Sequence, residues 1–168
     1  MRGVTVESKA DHPFTVTGVA GNHLFLVDEP KALGGDDSGP APYDYLLAAL
    51  GSCTAMTLSM YANRKRWPLE RIAIRLSHDR IQETKEGRAE NPSSRFERIT
   101  CEIELTGEID ATQREKLLEI ATKCPVHRTL LGGVQIVDRL ADAQIDRNQP
   151  PVEAVETWAE ATGGGMSA

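Results

Sequence analysis

Hydrophobic positions change period five times along this chain. Val4-Thr5-Val6 alternates apolar and polar, and His12-Pro13-Phe14-Thr15-Val16-Thr17 continues the alternation. After a turn at Ala20-Gly21-Asn22, His23-Leu24-Phe25-Leu26-Val27-Asp28 closes the pattern. Successive side chains of a strand point to opposite faces, so this period predicts a small antiparallel meander. A loop of chain breakers, Gly34-Gly35-Asp36-Asp37-Ser38-Gly39-Pro40-Ala41-Pro42, then leads to a helix starting at Pro42 or Tyr43 and running to Trp67, where Pro68 stops it. Proline suits the first helical position because the N–H it lacks has no partner there. Asp44 in the first turn suits the positive end of the helix dipole. The first two-thirds of this helix carry Leu46, Leu47, Ala48, Ala49, Leu50, Gly51, Ala55, Met56, Leu58 and Met60, apolar or small on every face. A helix without a polar face is expected to be buried.

Period two then returns. Ile72, Ile74 and Leu76 alternate with Arg71, Ala73 and Arg75, and Ile99, Cys101, Ile103 and Leu105 alternate with Thr100, Glu102 and Glu104. These are two half-buried strands, with Cys101 expected in the core and the charged stretch Glu83–Ser94 as a mobile hairpin loop. A second helix is expected after Asp110, with Asp110 or Thr112 as N-cap and Leu117, Leu118, Ile120 and Ala121 as its buried face. It ends near Cys124-Pro125, a short helical piece follows to Leu131, and Gly132-Gly133 breaks it. Val134–Val137 is predicted as a last strand, Pro151–Ala161 as a further helix, and Gly163–Ala168 as a disordered tail. The elements are expected to form one domain over residues 1–141, with a C-terminal extension over 142–168.

Composition narrows the function. The chain has 168 residues, 40% of them hydrophobic, enough for one real core. Its formal net charge of -6 argues against nucleic acid as a partner. No run reaches the roughly 18 consecutive apolar residues of a membrane span, so no membrane partner is expected. The segment Met1–Glu7 has no apolar signal-peptide region, which makes cytoplasmic localisation the expectation. Three cysteines match no structural disulfide framework, and cytosolic disulfides are usually catalytic or redox-sensing.

Two cysteines carry the candidate chemistry. Cys53 lies in Gly51-Ser52-Cys53-Thr54 deep in the apolar helix, and Cys124 in Cys124-Pro125-Val126-His127 closes the second helix. A cysteine on a buried helix is often a small hydrophobe. The sharper reading is a reactive thiol with a distant resolving thiol. His127, three residues after Cys124, faces it if the helical turn continues. No Cys-x-x-Cys or His-x-x-x-His pair supports zinc, no Gly-x-Ser-x-Gly elbow supports serine hydrolysis, and no glycine motif cradles phosphate. Neither metal nor cofactor is therefore expected.

The helix Pro42-Tyr43-Asp44-Tyr45-Leu46-Leu47-Ala48-Ala49-Leu50-Gly51-Ser52-Cys53-Thr54-Ala55-Met56-Thr57 resembles the signature helix of the OsmC/Ohr family, the osmotically induced and organic hydroperoxide resistance proteins. Cys124-Pro125-Val126 resembles that family's second cysteine motif, and the likeness covers roughly residues 3 to 140. The resemblance implies an α+β fold, with antiparallel sheets around two long central helices in an intertwined homodimer. It also implies thiol peroxidase chemistry. Cys53 attacks an organic hydroperoxide and becomes a sulfenic acid, Cys124 condenses with it to a disulfide, and a dithiol such as a lipoyl protein, or a small thiol, restores both. Two departures stand out. Family members carry a glutamate ten residues before the first cysteine, where this chain has Tyr43, with Asp44 next to it. They also hold the thiolate with an N-terminal arginine, and this chain has none between Gly3 and Pro42. Arg128, ahead of Arg95 and Arg98, is the candidate replacement. An OsmC-like binding protein and a thiol-switch sensor with little peroxidase activity are the alternative functions.

Overall fold

The computed structural model describes residues 3–82, 95–141 and 145, with backbone alone at positions 81, 82, 95 and 96. The expected hairpin loop Glu83–Ser94, the helix Pro151–Ala161 and the tail Gly163–Ala168 lie outside the described residues. The chain divides into two compact units, one built on residues up to Asp44 and again from Val137, the other on Tyr45–Ile136.

In the first unit, β1 (Val4–Lys9), β2 (His12–Ala20) and β3 (His23–Val27) form an antiparallel sheet in the order β1-β2-β3. Gly21, at φ 62°, takes the first position of the two-residue turn between Ala20 and His23, where hairpin turns call for a positive φ. Beyond β3 the fully buried Asp28 knots the loop. Its carboxylate accepts from the Ser38 hydroxyl at 2.6 Å and from the N–H groups of Glu29, Ser38 and Asp36 at 2.9, 3.1 and 3.2 Å. The Ser38 hydroxyl leads the donors that hold this carboxyl below its ordinary pKa, against the opposing effect of burial. The loop closes with the Asp28 N–H donating to the Pro40 carbonyl at 3.2 Å and delivers the chain to α1 (Pro42–Lys65). The Asp44 carboxylate reaches back to accept from the Ala41 N–H at 2.9 Å, the acidic half of a capping box.

In the second unit α1 ends two residues short of the sequence expectation. Arg66 turns left-handed at φ 56°, and the Trp67 N–H closes the last turn on the Ala62 carbonyl at 2.9 Å. Trp67 then meets Tyr61 edge to face, with ring centroids 5.5 Å apart. β4 (Leu69–Gln82) and β5 (Arg95–Gly107) pair antiparallel, setting Ile72 opposite Leu105, Ile74 opposite Ile103 and Leu76 opposite Cys101. The other face carries the ion pairs Arg71–Glu104 at 3.5 Å and Arg75–Glu102 at 3.2 Å.

α2 (Ala111–Ala121) starts at the expected Asp110 with a complete capping box. Asp110 accepts from the Gln113 N–H at 2.8 Å, and Gln113 accepts from the Asp110 N–H at 3.0 Å. α3 (Pro125–Gly132) follows, with Cys124 as its N-cap and Pro125 at its first position. Leu58 and Ala62 of α1 pack with Leu117, Ile120 and Ala121 of α2 and with Ile109, and Ile72, Ile103 and Leu105 of the hairpin pack around them.

Two expectations are corrected here. The residues of α1 that are buried form one stripe, Leu50, Gly51, Thr54, Leu58 and Ala62, spaced at one helical turn. Met56 and Met60 are 64% and 65% exposed, because the hairpin and α2 cover a single side of the helix. By length and composition α1 would also suffice to cross a membrane, yet this stripe is packed into the core. Val134–Val137 forms no strand. Its alternation calls for a ladder partner, no described strand pairs with it, and Ile136 is 78% exposed.

Candidate redox site

Two elements of the second unit bring the sulfurs together. α1 carries Cys53 two residues beyond Gly51. A methyl group on Gly51 would stand 2.7 Å from Leu76 Cδ1, so glycine lets β4 lie close to α1 at this level. Cys124 is placed by the junction of α2 and α3. Its N–H donates to the Ala121 carbonyl at 3.3 Å, which ends the α2 turn, and Pro125 redirects the chain into α3. Cys124 is fully buried and Cys53 half-buried. Both are free thiols, and each is the other's hydrogen-bond partner.

The two sulfurs divide proton and charge. Burial and the neighbouring Cys124 sulfur push the Cys53 pKa up, more than the Val126 N–H and the Thr57 hydroxyl lower it. Burial also opposes ionisation of Cys124. There it is outweighed by the Cys53 thiol, the His127 N–H, the Thr54 hydroxyl and the Val126 N–H, and the pKa falls. The Cys124 sulfur makes no capping bond of ordinary length, but the opening N–H groups of α3 aim at it, as at any anion placed at a helix start. Of the pair, Cys124 is therefore the sulfur that ionises first, and Cys53 the one that keeps its proton and donates it.

A pH dependence follows. With Cys101 replaced by serine, thiolate absorbance should rise in two steps belonging to the pair, one below and one above the ordinary cysteine value of 9.0. Replacing Cys124 with serine in that background removes the neighbouring charge, so the remaining Cys53 step should move down from the upper step of the pair. An upper step unmoved by C124S would contradict the shared proton.

The other residues singled out in the sequence are placed as follows. His127 is half-buried and acts on Cys124 through its backbone N–H. Arg128 is exposed, and its N–H donates to the Cys124 carbonyl at 3.0 Å. Arg98 is exposed, and the Arg95 side chain lies outside the described residues. Asp44, nine residues before Cys53 on the same helix, is about 13 Å away along its axis and is occupied with Ala41. Cys101 is exposed rather than in the core. Sequence reasoning missed Thr54, buried at 4% exposure, and Thr57, whose hydroxyl also donates to the Cys53 carbonyl at 2.8 Å. Threonines one and four residues after the cysteine were the available signal. Among the described residues no three His, Cys, Asp or Glu side chains group to hold a metal ion.

Fold and site define an α+β protein that joins two cysteines from separate helical elements. The family model described as OsmC-like protein matches residues 35–137, and the chain belongs to that family. Among solved structures, an OsmC-like protein from Mycoplasma pneumoniae superposes with a TM-score of 0.61 at 21% identity, over 79% of this chain and 88% of that one. An organic hydroperoxide resistance protein OsmC from Legionella pneumophila gives 0.55 at 16% identity, over 76% and 88%. An organic hydroperoxide resistance protein from Elizabethkingia anophelis, with thiocyanate bound, gives 0.55 at 18% identity, over 76% and 86%. These likenesses establish the OsmC/Ohr fold. No curated protein matches the chain.

Proposed function

We propose that the protein is a thiol peroxidase that reduces organic hydroperoxides, with Cys53 as the attacking sulfur and Cys124 as the resolving one. The observation that carries this reading is the hydrogen bond between the two free thiols, which raises the pKa of the more accessible Cys53 and lowers that of the buried Cys124. In the attack step the Cys124 sulfur, once ionised, takes up the Cys53 proton. The Cys53 sulfur then attacks the terminal peroxide oxygen, the O–O bond breaks, and the departing alkoxide takes that proton from Cys124 and leaves as an alcohol. Cys53 is now a sulfenic acid and Cys124 again a thiolate. Cys124 attacks the Cys53 sulfur, the S–S bond forms, the S–O bond breaks, and hydroxide leaves and is protonated by solvent. Two electrons have passed from the thiols to the peroxide. An external dithiol of the lipoyl type, or a small thiol, returns them.

The apolar surface of α1 around Leu46 and Met56 favours alkyl or lipid peroxides over hydrogen peroxide, in keeping with the hydroperoxide resistance named for two of the similar structures. The open face of α1 and the unpaired Val134–Val137 support a homodimer. A reducing cytoplasm suits free thiols. Reduced protein titrated with cumene hydroperoxide should lose two thiols per equivalent, with intact mass and peptide mapping giving a Cys53–Cys124 disulfide. Unchanged thiols, or slow over-oxidation of Cys53 alone, would overturn the peroxidase reading and leave a binding protein.

A further inference from the structure

We propose that Cys101 is a third redox thiol, which takes the buried Cys124 out of its disulfide with Cys53 and presents a sulfur to the reductant at the surface. The inference rests on the peroxidase reading only for the physiological source of that disulfide.

Geometry brings the third sulfur to the site. Leu76 and Cys101 are directly opposed across β4 and β5, so their side chains share the sheet face that packs toward α1. Leu76 in turn lies against Gly51. Thr54, three residues on in the same buried stripe, reaches the Cys124 sulfur with its hydroxyl. Cys124 therefore lies on the hairpin side of α1, with Cys53 as its other neighbour. Cys101 is also near enough for the Cys124 charge to act on it. Burial raises the Cys101 pKa, and that charge raises it further. On its own strand face Ile99, Ile103 and Leu105 are half-buried, while Cys101 between them is exposed. A dithiol arriving from solvent meets Cys101 without displacing the core, whereas Cys124 is closed to it.

The exchange is balanced. The Cys101 thiolate attacks Cys124 Sγ, the Cys101–Cys124 bond forms, the Cys53–Cys124 bond breaks, and Cys53 leaves with the electron pair and takes up the proton Cys101 has shed to solvent. The protein stays oxidised by two electrons throughout. The external dithiol then attacks the exposed Cys101 sulfur, and its second thiol completes the reduction. The timing is built in. While Cys124 is a thiolate its charge adds to the effect of burial in raising the Cys101 pKa. Once Cys124 is in a disulfide that charge is gone and Cys101 ionises more readily.

The test uses the full chain oxidised by diamide, so it does not depend on peroxide reactivity. Acid-quenched time points are mapped for linked peptides, and re-reduction is followed with dithiothreitol free and bound to a polymer. The wild type should show a Cys101–Cys124 peptide growing in after Cys53–Cys124. C101S should be re-reduced by the polymer-bound dithiol roughly tenfold more slowly than wild type, with free dithiothreitol acting equally on both. Absence of the Cys101–Cys124 peptide, or equal rates with the polymer-bound reagent, overturns the proposal. If diamide yields this exchange but cumene hydroperoxide oxidises no thiol, the peroxidase reading fails and the relay stands.

Discussion

Serine at position 53 should abolish turnover of organic hydroperoxide, lowering the rate by about three orders of magnitude or more, as loss of a catalytic nucleophile does. The hydroxyl that replaces the thiol keeps a hydrogen bond to Cys124 but is a far weaker nucleophile toward peroxide oxygen. The C124S protein should behave differently. Without added thiol it should consume about one equivalent of cumene hydroperoxide, gain one oxygen on Cys53 and stop, because its resolving partner is gone. Coupled consumption of hydroperoxide with a dithiol, alongside intact mass, separates the two variants. C53S turning over at the wild-type rate would sink the assignment. C124S turning over at that rate would leave Cys53 as nucleophile and move resolution to another thiol.

Leu58→Ala should cost about 3 kcal/mol, within the range for emptying a leucine site in a core. Leu58 is fully buried where α1 meets α2, among Ala62, Ile109, Leu117 and Ile120. For a chain of this size the loss corresponds to a melting midpoint roughly 6–12 °C lower. Thr100→Ala, on the exposed face of β5, should stay within about 0.5 kcal/mol of wild type. Urea unfolding of both variants checks the contrast. Equal small effects would mean that the buried stripe of α1 does not carry the packing described.

Period two and period 3.6 made the strands and helices legible, and Asp110 announced its own capping box. Cys124-Pro125 was readable as an end and a new beginning, since proline cannot continue one helix but can start the next. Burial of α1 was legible only in part. An apolar helix reports that its surface wants cover, and only the tertiary arrangement tells which side receives it. Cys101 was misjudged for a related reason: alternation placed it on the correct face, while exposure depends on whether a neighbouring element reaches that one position. Val134–Val137 has strand periodicity, yet a strand exists only with a partner. The division of proton and charge between Cys53 and Cys124 was not legible at all. It depends on which sulfur the N–H groups of Val126 and His127 face, and on where the Thr54 hydroxyl points.

The one-sided cover of α1 has a consequence for synthesis. The ribosome releases α1 before the hairpin that will lie on its stripe, and β5 ends at Gly107. At typical elongation rates the roughly forty intervening residues take about 2–8 s, far longer than a helix needs to form. For that interval the nascent chain displays the apolar stripe of α1 uncovered, and its cover is complete only when α2 follows the hairpin.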